Sequence, residues 1–211
     1  MWKRYSIKRA ERIIARNHGT ITRISETYDL PPAYLKAVLR QEIPEIDLLD
    51  GAADLAVRFN WLRYRLSRRL TGGRRPPSPP GRKGLNRLDS STGYAQIFGF
   101  VALEAANFAV DRGLTDYAAL GLPEDHRLSR EDPEDLRLVW RMLHRDREAN
   151  LTFAALNLLS AAEEMTGRLD FPGYSEEEVK RILTRYNANV RHVTQYGEEA
   201  YRHYLAFSAV E

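Results

Sequence analysis

The carboxylate of greatest chemical interest in this sequence is Glu42, because it ends the apolar face of a predicted helix. Residues 31–42 have helical spacing, begin with a proline pair and are followed by Pro44, which is predicted to stop the helix. Glu42 continues the stripe that is formed by Leu35, Val38 and Leu39. A carboxyl group there loses water and meets the negative end of the helix dipole, and both effects raise its pKa toward that of a general acid. The alternative is a helix-end glutamate that faces solvent.

Further carboxylates follow at once in an acidic segment over 43–54. Its members are Glu45, Asp47, Asp50 and Asp54. They could supply a second catalytic carboxylate or a cation site, or form only a polar turn, and their spacing matches no calcium-binding loop. A single turn residue is the expectation for each of them, with Asp47 and Asp50 kept as candidate second carboxylates.

A second polar segment precedes an apolar helix in the middle of the chain. It runs from Asp89 through two serines and a threonine to Gly93, Tyr94, Ala95, Gln96 and Ile97. Small polar residues and glycine at such a place predict a loop that caps the following helix.

The composition excludes several classes of site. The 211 residues contain no cysteine, so the chain has no disulfide, no thiol nucleophile and no zinc–thiolate centre. No apolar run approaches a membrane span, and the first thirty residues are too interrupted by Lys and Arg to predict a secretory signal. A hydrophobic content of 43% with 29% charged residues is typical of a globular protein that can form a core.

Positive charge is concentrated between Arg58 and Arg87. This stretch holds ten Lys or Arg residues and no Asp or Glu, whereas the formal net charge of the whole chain is only +3. The asymmetry predicts a local anionic partner, such as an anionic polymer. The stretch begins in a predicted helix over 52–70, whose apolar residues Leu55, Phe59, Leu62 and Leu66 suggest a core face, and continues into a Pro/Gly-rich segment over 71–84 that is predicted to be a mobile loop.

The remaining sequence predicts helices and no convincing strand. Asp132 followed by Pro133 and Ser175 paired with Glu178 are helix-start signals, and the segment over 150–165 is apolar on most of its surface. The fold class is therefore all-α with eight or more helices, in one domain over 1–211 with an Arg/Pro-rich insertion over about 52–88.

Three separated segments resemble, in the same order, motifs of the lytic transglycosylases and goose-type lysozymes. Residues 25–42 are similar to the segment that carries the catalytic glutamate, and Gly93 to Ile97 resembles the family's G-L-M-Q-I motif. Asn150-Leu151 and the run from Arg185 to Ala188 are similar to the later N-I and A-Y-N-A elements. The insertion separates the first two motifs by more residues than in the family.

The resemblance implies a lysozyme-like helical domain that cleaves the β-1,4 bond between the two amino sugars of a peptidoglycan glycan strand, at the cell wall of bacteria. Glu42 would be the general acid and base, and Asp89 the second carboxylate if the enzyme hydrolyses its substrate. Tyr186 would form a hydrogen bond near Glu42. The implied substrate-binding residues are Gly93, Tyr94, Gln96, Asn150, Tyr186 and Asn187, and no metal or other cofactor is implied.

The rival interpretation is a binding protein without turnover. It would be a lysozyme-like module, or a nucleic-acid-binding protein that uses the basic stretch over 58–87 with Phe59, Trp61 and Tyr64 as stacking residues. The position of Phe59 on the apolar stripe of its helix favours a core role for that ring instead.

Overall fold

The computed structural model describes residues 5–46, 48–70 and 88–210. Asp47 and the predicted mobile loop over 71–84 lie outside these ranges. The described residues form nine α-helices, one short 3-10 helix and a two-stranded antiparallel sheet. The predicted all-α class is confirmed.

The elements follow one another along the chain, and the connection from the fifth α-helix to the sixth spans residues 112–132. The helices are α1 (Ile7–Arg16), α2 (His18–Tyr28), α3 (Pro32–Glu45), α4 (Leu48–Leu70), α5 (Gly99–Asp111), α6 (Pro133–Arg145), α7 (Arg147–Thr166), α8 (Glu176–Asn187) and α9 (Gln195–Ser208), with the 3-10 helix at Phe171–Gly173. The strands are β1 (Ser91–Thr92) and β2 (Ile97–Phe98), which pair between α4 and α5.

Helix α7 is the centre of the core, as its apolar sequence predicts. It packs against α5, α8, α6, α2 and α3. Its side chains from Leu151 to Leu159 are almost all buried, because a helix that is apolar on every side must be surrounded by other elements. Asp146 caps its first turn by accepting hydrogen bonds from the backbone N–H groups of Glu148 and Ala149.

The helix-start signals are confirmed, whereas the predicted end of α3 is wrong. Asp132 caps α6 through the N–H of Glu134, and Ser175 and Glu178 form a reciprocal capping box on α8. His18 and Gly19 lie in the first turn of α2. Pro44 does not stop α3, which continues to Glu45, since a proline in the last turn removes only one hydrogen bond.

The predicted core face of α4 is wrong. The side chains of Leu55, Phe59 and Leu62 are 64%, 61% and 56% exposed. The face that is buried carries Val57 and Trp61, which form a small second cluster with Leu88 and Trp140. The indole N–H of Trp61 also donates to the backbone carbonyl of Leu88 at 3.1 Å, so aromatic packing with a hydrogen bond decides which side of α4 faces inward.

The sequence did not predict the hairpin that precedes α5. Ser91 pairs with Phe98 and Thr92 with Ile97, and four residues connect the two strands. Two-residue strands are too short to produce an alternating pattern in the sequence.

Within residues 5–46, 48–70 and 88–210, no helix combines the length and the apolar character that crossing a bilayer requires.

Candidate active site around Glu42

Glu42 is in the last turns of α3, at the edge of the core. Leu35, Val38 and Leu39 on the same face are fully buried, and the Glu42 side chain is itself largely withdrawn from solvent. Burial raises the pKa of Glu42 to about 7, a net value that includes the lowering effect of a hydrogen bond from Tyr196 and the smaller raising effects of the negative charges of Glu45 and Asp50. The carboxyl group can therefore hold or release a proton near neutral pH.

The partner of Glu42 is Tyr196, in the first turn of α9. The Tyr196 hydroxyl donates to Oε1 of Glu42 at 2.6 Å, and the neighbouring Gln41 amide donates to Glu199 of the same helix at 3.0 Å. Tyr196 is not among the site residues predicted from the sequence. No spacing signal could have found the pair, because α3 and α9 are separated by most of the chain.

Next to Tyr196, α9 packs closely on α8. A Cβ atom at Gly197 would lie 2.0 Å from Oγ1 of Thr184 and 2.7 Å from the carbonyl oxygen of Lys180. The absence of a side chain at Gly197 thus lets the two helices approach where Tyr196 turns toward α3.

Tyr186 lies close enough to Glu42 for the two to interact electrostatically, and its hydroxyl forms its hydrogen bond with the hairpin. Its hydroxyl donates to the carbonyl of Ala95 in the hairpin at 2.8 Å. Burial and the negative charge of Glu42 together raise the pKa of Tyr186. Tyr186 therefore connects the surroundings of Glu42 to the segment that carries Gly93 and Gln96.

Asn150, in the first turn of α7, fixes the shape of the hairpin. Its Nδ2 donates to the carbonyl of Thr92 and its Oδ1 accepts from the N–H of Ala95, both at 3.0 Å. Gly93 has a φ of 74°, and a Cβ there would lie 2.2 Å from Asn150 Nδ2. The Asn150 amide is 1% exposed, so its contacts position the hairpin instead of presenting a free amide to a ligand.

A cleft of about 350 Å³ lies between the start of α4, the hairpin and the junction of α6 with α7. Four of the predicted substrate-binding residues line it, namely Gly93, Tyr94, Gln96 and Asn150. The Gln96 amide donates to the Gly93 carbonyl, and Gln96 has a positive φ of 46°. Asn187, also predicted to bind substrate, is exposed at the end of α8.

A second cleft of about 680 Å³ lies on the other side of the α3 end, between α1, α3 and α9. Gln41, Pro44 and Glu45 line this cleft, whereas Ile46 lines the hairpin cleft, and Tyr5 lines both. Glu42 is thus in the helical turn from which neighbouring residues reach both clefts, although it is not itself in the wall of either.

The predicted second carboxylates are in different environments. Asp89 accepts from the backbone N–H groups of Gly99 and Phe100, at 2.8 and 3.0 Å, which makes it the cap of α5. Its pKa is raised to about 6 by burial, against the effect of these hydrogen bonds. Asp50 lines the hairpin cleft, and Asp47 lies outside the described residues.

The sequence also gave no indication of a polar network in the wall of the hairpin cleft. Asp54 accepts from the hydroxyls of Ser90 and Thr92, and its Oδ2 lies 3.1 Å from Nδ1 of His144. The His144 ring stacks on Trp140, and its Nε2 lies 2.5 Å from the Arg58 guanidinium. Because a guanidinium can only donate, Nδ1 carries the proton of a neutral His144, with the Thr92 hydroxyl at 3.0 Å as its hydrogen-bond partner and Asp54 beside it.

Across the three described ranges, no group of three or more His, Cys, Asp or Glu side chains could hold a metal ion. The chemistry that the described side chains offer at Glu42 is proton transfer, with Tyr196 orienting the carboxyl group.

Comparison with known proteins gives no assignment, since no family model, no curated protein and no solved structure matches this chain.

Proposed function

We propose that this protein cleaves the glycan strand of peptidoglycan, as a lytic transglycosylase or a muramidase, with Glu42 as general acid and base. The observation that carries the proposal is the state of Glu42, which is half-buried on the core side of α3, has a pKa of about 7 and accepts a hydrogen bond from Tyr196. A glycosidase acid must be protonated near its working pH and held in one orientation, and these features meet both needs.

In the proposed reaction, Glu42 donates its proton to the glycosidic oxygen as the C1–O bond breaks and the sugar gains oxocarbenium character. The acetamido group of the substrate stabilises the intermediate. In a transglycosylase the sugar's own 6-hydroxyl then attacks C1, and the Glu42 carboxylate takes up the hydroxyl proton. The acid is thereby regenerated without a second protein carboxylate.

The hairpin cleft is the proposed site for the sugars beside the broken bond. Gln96 and Tyr94 are in its wall, and amide and aromatic groups are common sugar-binding side chains. Tyr186 and Asn150 hold this wall through backbone hydrogen bonds, which supports a positioning role for both. Asn187 remains a proposed contact from the end of α8.

A muramidase would also need a carboxylate that activates water across the cleft. Asp50 favours this variant of the proposal, because it lines the cleft and is close enough to affect the pKa of Glu42. Asp89 remains the candidate from the resemblance, although both of its oxygens accept backbone hydrogen bonds.

The test is to incubate the purified protein with peptidoglycan and identify the released fragments by mass spectrometry. Fragments ending in a 1,6-anhydro sugar indicate a transglycosylase, whereas reducing ends indicate hydrolysis. Glu42→Gln is expected to lower turnover by on the order of 10² to 10⁴-fold, the size of an acid–base contribution. Glu26→Gln is the matched control, because Glu26 is an exposed carboxylate on α2 that does not contribute to the pKa of Glu42.

Two results would contradict the proposal. One is the absence of any soluble fragment with the wild-type protein, and the other is near wild-type turnover in Glu42→Gln.

A further inference from the structure

Helix α4 presents a continuous apolar stripe to solvent. Leu55, Phe59, Leu62 and Leu66 follow one another in steps of four, three and four residues, and Leu70 extends the stripe by another turn. Their side chains are between 49% and 86% exposed. Single exposed apolar residues are ordinary, but five in a row on one helix face indicate an interaction surface.

The packing of α4 does not require this exposure. The helix is anchored from its other side by Val57 and Trp61, and the Arg137 guanidinium lies 5.2 Å from the Trp61 ring centre. The stripe therefore points away from the fold and stays available while α4 remains attached.

Arginines line both edges of the stripe. By helical position, Arg58, Arg65 and Arg69 lie along one edge and Arg63 along the other, and the sequence from Leu55 to Leu70 contains no acidic residue. These four arginine side chains are exposed. An apolar face bordered by arginines is typical of a helix that lies in the interface of an anionic membrane.

The edge that carries Arg65 leads into an arginine-lined cleft of about 390 Å³ between α4 and α6. Its wall contains Arg65, Arg68, Arg69, Arg137 and Arg141, with Glu134 as the one acidic residue. Glu134 is engaged by Arg68 at 3.3 Å. Five guanidinium groups around one carboxylate leave an excess of positive charge, which fits phosphate groups.

These features distinguish between possible occupants of the stripe. A second copy of the chain would bring two sets of arginine edges together, and like charges at that distance repel. A nucleic acid would satisfy the arginines but would leave most of the leucines in water. A surface that combines acyl chains with phosphate groups can bind both the apolar stripe and the arginines at its edges.

We propose that α4 docks in the plane of an anionic phospholipid membrane, with the leucines and Phe59 in the acyl region and the arginines at the headgroups. Long arginine side chains extend from such a helix to the phosphates while their stems stay in contact with apolar atoms. The helix lies on the membrane and does not cross it, because its opposite face is bound to the protein. This surface would hold the protein at a bilayer whatever reaction Glu42 supports.

The experiment is co-sedimentation of the full-length protein with vesicles of phosphatidylcholine and with vesicles of an equimolar phosphatidylcholine–phosphatidylglycerol mixture. Wild-type protein is expected to bind the mixed vesicles and to dissociate from them when salt is added. It is not expected to bind the neutral vesicles. The double variant Phe59→Ser, Leu62→Ser should weaken binding by about tenfold or more, because the apolar contacts are lost. The triple variant Arg63→Gln, Arg65→Gln, Arg69→Gln should weaken it by on the order of a hundredfold at low salt.

Matched control variants test whether vesicle binding is specific to this surface of α4 or is shared by other exposed apolar and basic residues. Ile7→Ser with Leu205→Ser removes two exposed apolar side chains from α1 and α9, and Arg12→Gln with Arg16→Gln removes two exposed charges from α1. Both controls are expected to bind as the wild type does. All substitutions are at exposed positions, so thermal melting should confirm that each variant folds.

The depth of α4 in the membrane can be measured with a dye on a single introduced cysteine, because the chain has no native cysteine. An environment-sensitive dye on Leu62→Cys should shift to the blue with mixed vesicles and become protected from an aqueous quencher, whereas the same dye on Leu205→Cys should not. The proposal is overturned if wild-type protein binds neutral and mixed vesicles equally or binds neither. It is also overturned if the double variant binds the mixed vesicles as the wild type does. A third contrary result is a wild-type protein that forms a dimer and does not bind vesicles, with a double variant that is monomeric.

Discussion

Tyr196 and Glu42 are 154 positions apart in the chain, yet the Tyr196 hydroxyl lies 2.6 Å from Oε1 of Glu42. The bond joins the first turn of α9 to the last turns of α3, two helices that pack closely along one side of the fold. A hydroxyl that donates to a carboxylate stabilises the ionised form, so Tyr196 opposes the effect of burial on the Glu42 pKa. Tyr196 therefore fixes the direction of the proposed acid and lowers the proton affinity that burial gives it.

Tyr196→Phe should move the alkaline limb of the pH–activity profile to higher pH. Loss of the hydrogen bond leaves burial unopposed, so the Glu42 pKa is expected to rise above its value of about 7. A hydrogen bond to a charged group corresponds to a shift of about one pH unit or more. The measurement is kcat/KM on peptidoglycan against pH, with Tyr201→Phe from the same helix as control. An unmoved limb would show that Tyr196 does not act on the titrating group.

Glu42→Gln should make the protein more resistant to unfolding at high pH than the wild type. The folded protein holds the Glu42 proton up to a pKa of about 7, whereas the ordinary value is 4.5. Between these two values the unfolded chain binds fewer protons, so the free energy of unfolding of the wild type falls as pH rises. The variant lacks this dependence. The gain above pH 7 should be on the order of 1–3 kcal/mol, measured by urea unfolding at several pH values. A difference between the two proteins that is constant with pH would contradict the raised pKa.

Asn150→Ala should destabilise the protein and disorder the hairpin cleft. The substitution leaves the Thr92 carbonyl and the Ala95 N–H without their partners. Leaving two buried backbone groups without hydrogen bonds is expected to lower the free energy of unfolding by about 2–4 kcal/mol. Thermal melting measures this loss, and hydrogen exchange at residues 92–95 locates it. Asn157→Ala, elsewhere on the buried surface of α7, is the control, since its side chain should not affect exchange in the hairpin. Unchanged exchange in Asn150→Ala would exclude the positioning role.

Asp89→Asn should lower stability without changing the type of product. Asparagine offers one acceptor where the carboxylate uses two, so one of the N–H groups of Gly99 and Phe100 loses its partner. The expected loss is about 1–2 kcal/mol, as for the removal of a helix cap. Asp50→Asn provides the comparison, because Asp50 lines the cleft and should affect hydrolysis if water is activated there. Loss of hydrolytic products in Asp89→Asn at full stability would instead identify Asp89 as the second carboxylate.

The sequence by itself determined the features that depend on residues close together in the chain. Helical periodicity gave the all-α class, and local hydrogen-bonding rules located the starts of α6 and α8 at Asp132 and Ser175. The placement of Glu42 at the end of an apolar face was also readable, because residues three, four and seven positions apart share a helix face. The concentration of positive charge between Arg58 and Arg87 follows directly from the residue types in the sequence.

Tertiary structure decided which faces meet and which partners each side chain finds. The stripe of α4 has the same spacing as a core face, yet Trp61 on the opposite side found Trp140 and Leu88, so the stripe stayed in solvent. Asn150 could have faced a ligand from its sequence, but α7 delivers it to the backbone of the hairpin. Tyr196 reaches Glu42 across the packed pair of α9 and α3, and the adjacent Gly197 lets α9 approach α8. These contacts join distant segments through packing, and no local rule of spacing encodes them.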